Sequence, residues 1–454
     1  MTVKLLANTV VGLGFSRRGF EAGLERGPDM IGCDAGSSDF GPYYLGAGLN
    51  PKSPRSVRRD LEIMLVGARR QGVPLVIGTC GGAGADVHLQ IYVDMVEQIA
   101  AERGLHFRVA SISAEQRPER LHRALREGRI AAHGPVPDLT ADEIDATVRV
   151  VGMMGVEPVV TALAAGADVV LTGRIVDPAI FAPAALRAGV EPGLAWHAAK
   201  TIDKGGLATT DPSQGSPVLV TIDGDGFTVE PCLDTVRCTV RTVASLTMHE
   251  NPDPFRVVEP GGTIDTTDAT YEQADERRVR VTGSRFTPAV AYTVKLEGAA
   301  LDGYRSLLIA GVRDPRVIAR FDDFLDTYRA KISRVAKSLG VDESQYQVNF
   351  RCYGRDAVLG EREAPGLPPP HEIGLIVDVV AESEELSKVI ATRVGPIGSR
   401  LDIIGGASGG GNFAYPFSPS VIPVGPVYRW SVWHTMEVDA AEREAMFPIT
   451  YRDL

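Results

Sequence analysis

Val73–Tyr92 reads VPLVIGTCGGAGADVHLQIY, and the order of residue types in it decides the fold class. An apolar, β-branched run (Val73 to Ile77) breaks into Gly78-Thr79-Cys80-Gly81-Gly82-Ala83-Gly84, and Val87, Ile91 and Met95 then recur at helical spacing. The succession is strand, glycine loop, helix. Glycines let the backbone turn tightly and bring its N–H groups close to a ligand, and a helix N-terminus adds partial positive charge. Thr79, Gly81, Gly82 and Gly84 are therefore candidates to hold a carboxylate, a phosphate or a developing oxyanion. A tight βα connection with no ligand is the plain alternative.

The same grammar occurs twice more. Asp29–Gly32 runs into Cys33-Asp34-Ala35-Gly36-Ser37-Ser38-Asp39-Phe40-Gly41-Pro42, and Ala167–Leu171 runs into Thr172-Gly173-Arg174-Ile175-Val176-Asp177-Pro178. In open α/β sheets ligands collect at the carboxyl ends of the strands, so the three loops are expected to share one site. The first residues repeat the theme more weakly. Gly12-x-Gly14-x-x-Arg17 has two of the three glycines of a dinucleotide fingerprint, and Arg17 stands where the third would be.

Outward from these loops, Ser56–Gln71 and Pro118–Glu127 read as helices and Phe107–Ile112 as a strand. Asp138–Val150 reads as a helix opened by a Thr140/Glu143 capping box. The alternation predicts an α/β fold, a doubly wound and mostly parallel sheet, up to about Lys200. A β-rich part follows over 215–300, with Val218–Ile222, Phe227–Val229 and Val236–Val243 as strands around the hairpin signal Asp223-Gly224-Asp225-Gly226. Tyr346–Cys352, Glu372–Ala381 and Tyr428–Val438 read as strands and Glu384–Arg393 as a helix. These predict a C-terminal α+β, ferredoxin-like domain over 341–454 after a main domain over 1–340.

Composition narrows the class. The chain has 454 residues, 44% hydrophobic and 23% charged, as in an ordinary globular protein long enough for two domains. A net charge of −11 argues against a nucleic-acid or anionic-membrane surface. No apolar run reaches the roughly 20 residues that span a bilayer, and the N-terminus reads as a first strand rather than a signal peptide. Five cysteines at irregular spacing fit a reducing, cytoplasmic compartment. The expected partners are a small anionic substrate and further copies of the chain in a homo-oligomer, with no nucleic acid and no membrane.

Chemistry concentrates on the loops. Asp34 and Asp39 are candidates for a general acid and base, or for holding a divalent cation such as Mg²⁺. Cys80 is a candidate nucleophile at a helix start, against a buried packing role. Ser37 and Ser38 can donate to a carboxylate. Arg174 is the foremost anion clamp, with a salt bridge to Asp177 as its alternative. Asp177 is a candidate ligand contact or a helix cap, and Lys295 and Glu297 share one face of a strand as an acid/base couple or a charge pair. Asn412, in a glycine-rich segment Gly409–Asn412, is a candidate for closing over a substrate.

Cys33–Gly48 (CDAGSSDFGPYYLGAG), Gly78–Asp86, Ala167–Pro178 (ADVVLTGRIVDP), Thr293–Ala299 (TVKLEGA), Glu372–Ala381 and Gly411–Pro419 together resemble the acyclic terpene utilisation AtuA family, over nearly the whole chain. The resemblance implies catabolism of branched terpenoid or other organic acids handled as CoA thioesters. The residues and the resemblance together lead to an expected catabolic enzyme acting on a small or branched organic acid or its CoA thioester. Its chemistry would be of lyase or hydratase type, with proton transfer next to a carbonyl. A metal-assisted hydrolase on the same aspartates, or a noncatalytic subunit of a catabolic complex, are the alternatives.

Overall fold

A computed structural model describes residues 2–249, 251–364, 366, 368–405 and 411–454. They fall into two compact units, the first running to Ala300 and resuming over Trp430–Leu454, the second being Leu301–Arg429. The early strands are β1 (Thr2–Ala7), β2 (Met30–Asp34), β3 (Leu75–Gly78), β4 (Arg108–Ile112), β5 (Ile130–Ala132), β6 (Thr147–Gly152), β7 (Val169–Thr172), β8 (Val218–Asp223) and β9 (Gly226–Pro231). They are followed by β10 (Arg256–Glu259), β11 (Gly262–Asp265), β12 (Thr270–Gln273), β13 (Val279–Thr282) and β14 (Arg285–Pro288). The last are β15 (Thr293–Val312), β16 (Tyr346–Tyr353), β17 (Ile373–Ala381), β18 (Val421–Glu437) and β19 (Ile449–Asp453).

In the first unit β1, β2, β3, β7 and β4 lie side by side in that order, each parallel to the next. Side chains alternate across this run. Leu6, Ile31, Leu75, Ile77 and Leu171 pack with Phe20, Leu61, Met64 and Tyr92 of the helices Arg17–Glu25, Pro54–Gln71 and Asp86–Arg103. Leu5, Met30, Val76, Ala110 and Val170 share the opposite core with Val159, Ala185 and Ala198, from the helices Glu157–Ala164, Ala182–Arg187 and Pro192–Ile202. Helices on both faces explain why these strands read as unbroken apolar runs.

The fold is mixed α/β, and parallel pairing in this sheet stops at those five strands. β8, β9, β13 and β12 extend it antiparallel beyond β1, and β19 closes the other side against β4. The cause is local: Gly224 and Asp225 leave only a two-residue turn between β8 and β9, and such a turn returns the chain antiparallel. Two expected elements change type. Val236–Val243 contains the start of a helix, Val240–Thr247, because Thr239 accepts from the Thr242 N–H and caps it. The helix expected over Asp138–Val150 is capped by Thr140 as the sequence suggests but ends at Ala146, where the β-branched run Thr147–Val151 becomes β6.

The second unit runs strand, helix, strand, strand, helix, strand. β17 pairs antiparallel with β16 and with the Tyr304–Val312 part of β15. Phe321, Phe324 and Tyr328 of the helix Phe321–Ser338 pack with Leu308, Leu375, Val377 and Phe413, and the Tyr328 hydroxyl donates to the Val394 carbonyl at 2.8 Å. The boundary expected at residue 341 falls in the turn before β16, inside this unit. Among the described residues no helix is long and apolar enough to cross a membrane.

Candidate active site

Asp34, Gly78 and Thr172 end β2, β3 and β7 at one edge of the sheet, and the loops that follow are laced together by their backbones. The Ala35 N–H reaches the Gly78 carbonyl at 2.8 Å, Cys80 N–H the Thr172 carbonyl at 2.9 Å, and Arg174 N–H the Gly84 carbonyl at 3.1 Å. A Cβ on Gly36 would stand 2.1 Å from the Gly82 carbonyl oxygen, and one on Gly84 would stand 2.4 Å from the Arg174 nitrogen. Gly84 also holds φ at +71°, which a side chain resists. Positions remote in sequence thus become neighbours. Gly84→Ala is expected to cost about 2 kcal/mol through strain and displacement of the Arg174 backbone. Thermal unfolding checks this, and wild-type stability in the variant would show the loops to be loosely joined.

Thr79 carries the tension of this junction. It is fully buried with φ +47°, uncommon for a β-branched residue. Its hydroxyl accepts from the Ile175 N–H and lies 3.3 Å from the Ile175 carbonyl, while its N–H lies 3.2 Å from the Gly173 carbonyl. Its polar groups are spent on pinning one loop to the next.

The electrostatic centre is a lysine that follows the helix Pro192–Ile202. Lys204 Nζ stands 2.5 Å from Asp177 and 3.9 Å from Asp34. Two carboxylates share one ammonium, and the nearer takes most of its field. Burial, and then the charge of Asp177, push the Asp34 carboxyl up to about 7 in spite of Lys204 and of the Gly36 N–H at 3.1 Å. Burial would lower Lys204, but the carboxylates around it, Asp177 foremost, hold it above its ordinary range. Lys200 and Asp203 form a second buried pair at 3.0 Å, and burial lifts Glu259, at the end of β10, to about 8.

Arg174 is engaged by a different acid from the one expected. Its Nε lies 2.9 Å from Glu297 Oε2 and its Nη2 3.4 Å from Glu297 Oε1 and 3.4 Å from the Ser38 hydroxyl. Lys295 completes the group at 2.8 Å from Glu297, with its ammonium 3.6 Å from the Trp433 ring centre. Burial would raise Glu297, but Arg174 and then Lys295 overcome it and hold the carboxyl at about 2. The Arg174 side chain is thus ordered at the loop junction, and the bonds just described leave its Nη1 uncommitted.

The other expected residues take varied places. Cys80 is enclosed, its thiol 3.7 Å from the Ile77 carbonyl, and burial pushes it well above the range in which a thiolate forms; Cys33 is buried and raised likewise. Asp39 is exposed, and its N–H is capped by the Ser37 hydroxyl at 3.1 Å. Asn412 belongs to the second unit, where its amide nitrogen donates to the Gly398 and Leu401 carbonyls. Gly409 and Gly410 of the expected closing segment lie outside the described residues. The N–H groups of Gly12 and Gly14 are both taken by the buried carboxylate of Asp60, at 2.9 and 3.1 Å, so the fingerprint-like loop wraps an internal anion. Among the described residues no three His, Cys, Asp or Glu side chains are grouped to hold a metal ion, and Asp34 faces an ammonium instead.

Sequence reasoning missed Lys204, Lys52, Glu259 and Asn8. Lys204 and Glu259 lie outside the glycine loops that join strands to their helices, and Asn8 opens the loop of Gly12 and Gly14, which matched a fingerprint only weakly. The one available signal was at Asn8, a polar residue directly after an apolar strand. In comparison with known proteins, the family model described as acyclic terpene utilisation family protein AtuA matches residues 53–189 and 216–413 of the chain. No curated protein and no solved structure matches.

Proposed function

The chain belongs to the acyclic terpene utilisation family AtuA, a family with a catabolic role, and from that premise we propose an enzyme of lyase or hydratase type that moves a proton next to a carbonyl. The observation that carries this reading is Asp34, a carboxyl buried at a strand end 3.9 Å from an ammonium and pushed up to about 7 by its burial and by Asp177. A general base works best when its pKa lies near the working pH. In this reading the Asp34 carboxylate takes the proton from the carbon next to the substrate carbonyl. The electron pair passes to the carbonyl oxygen as an enolate; as it returns to form the carbon–carbon double bond, the β-hydroxyl leaves as water with the proton handed on by the Asp34 carboxyl, and the reverse sequence adds water.

Arg174 Nη1 and the Gly81–Gly84 amides meet the anionic group of a small or branched organic acid or its CoA thioester. Leu13, Phe40 and Leu49 are exposed apolar side chains on the loops after β1 and β2, suited to a branched hydrocarbon chain. The finer reading of the fold belongs to the same proposal: a doubly wound first unit, and a ferredoxin-like second unit suggested by its order of elements. So do a cytoplasmic homo-oligomer and the absence of nucleic-acid partners.

The test is incorporation of solvent deuterium. Acetyl-CoA, 3-methylbutanoyl-CoA and their free acids are incubated with the protein in D₂O, and α-deuteration is followed by NMR. Enzyme-dependent exchange is expected with at least one probe, rising with pH to a plateau above about 7 as Asp34 ionises. Exchange at the background rate for all four probes rejects the proposal.

A further inference from the structure

Asn8 directly follows β1 and is 1% exposed, yet neither its Nδ2 nor its Oδ1 has a hydrogen-bond partner. A buried carboxamide left in this state destabilises the protein, and native structures seldom keep one without a use. Other amides of the chain show the ordinary solution. Asn412 donates to two carbonyls and Asn251 Nδ2 donates to Thr247 at 2.6 Å; Asn50 keeps a buried, unpartnered Nδ2, but its Oδ1 accepts the Lys52 N–H at 2.9 Å, whereas Asn8 has neither atom paired.

The place of Asn8 says what its use is. Its N–H reaches the Gly32 carbonyl at 3.3 Å, on the strand that ends in Asp34. Its own carbonyl is packed so closely on Gly205 that a Cβ there would stand 2.3 Å away, and Gly205 is the residue after Lys204. Asn8 is therefore fixed between the strand of the proposed base and the turn of its lysine. A second underused donor comes from the turn before the helix Pro54–Gln71. Lys52 Nζ donates to the carbonyl of Ala35, next to Asp34, at 2.9 Å, and forms no ion pair among the described residues. Arg174, by contrast, spends its Nε and Nη2 on Glu297.

We propose that the Asn8 carboxamide, together with the Lys52 ammonium, receives the substrate's carbonyl oxygen and holds the charge that develops there as Asp34 removes the proton. This rests on the function proposed above and assigns the electrophilic half of that site. Preorganised donors at a developing oxyanion are among the largest contributors to rate, and an amide N–H that has no competing acceptor costs no rearrangement to use. The oxygen belongs to a carboxylic acid or thioester. The chemistry is the same for both, and the probes separate them.

Asn8→Leu, with Asn8→Ala as a smaller replacement, is compared with wild type in three measurements: melting without ligand, stabilisation by 5 mM acetate or acetyl-CoA, and α-deuteration of the probes above. The expected result is a melting temperature at or above wild type, because an unpaired polar group has been removed. Ligand stabilisation should be lost and exchange should fall by about 100-fold or more. Melting lowered in both variants by several degrees with exchange retained would make Asn8 a packing residue and overturn the proposal. Wild-type stabilisation by neither probe also overturns it. If wild type is stabilised by a probe and Asn8→Leu is not, while neither catalyses exchange, the donor assignment stands and the proton-transfer reading fails.

Discussion

Glu297→Ala should lose about 3–5 kcal/mol of stability at neutral pH, the cost of stranding a buried charge. Glu297 is wholly buried and is the shared partner of Arg174 and Lys295. Removing it leaves two cations facing each other beside the loop junction. At roughly 2 °C per kcal/mol for a unit of this size, thermal unfolding would shift by about 6–10 °C. The pH dependence has a definite sign. The carboxyl is held at about 2 when folded, below its unfolded value, so its contribution is present above about 4.5 and is lost as pH falls through 2. The deficit of the variant should therefore shrink in strong acid. Equal stability of variant and wild type at pH 7 would show that the triad is solvated and contributes little.

Asp34→Asn is expected to lower turnover by about 10³ while leaving the protein folded and able to bind its acid. The substitution keeps the shape and the bond from the Gly36 N–H, and removes only the ability to take a proton. It should also alter stability in the opposite sense to Glu297→Ala. Asp34 titrates near 7 when folded, above its unfolded value, so the stability it confers is complete below about 4 and is lost as pH rises through 7. The variant should lose less stability than wild type between pH 5 and pH 8. Retained turnover would remove Asp34 from the mechanism, and an unchanged pH–stability curve would mean that Asp34 ionises freely in the fold.

What the residues disclosed, and what they concealed, follows the range of the interactions. Strand, loop and helix at Val73–Tyr92, and the matching loops after β2 and β7, were legible because apolar periodicity and glycine placement act locally. Their convergence was legible because parallel strands deliver their following loops to one edge. The partners within the site were not. Arg174 and Glu297 stand 123 residues apart in sequence, and Lys204 reaches Asp177 from the far end of a helix. Nothing local in TGRIVDP told Arg174 to prefer Glu297 over Asp177. The helix Val240–Thr247 was hidden for a related reason: valines at 236, 240 and 243 suit a strand or a helix, and a single capping threonine decided between them.

The way Leu301–Arg429 interrupts the first unit has a consequence for synthesis on the ribosome. A nascent chain lacks β19 until all of the second unit has emerged, so the free side of β4 stays unpaired while more than a hundred residues are translated. Open strands of that kind invite pairing with other chains. The segment Trp430–Leu454 thus acts as a late clasp, and a product shortened before it would leave the ribosome with a sticky margin.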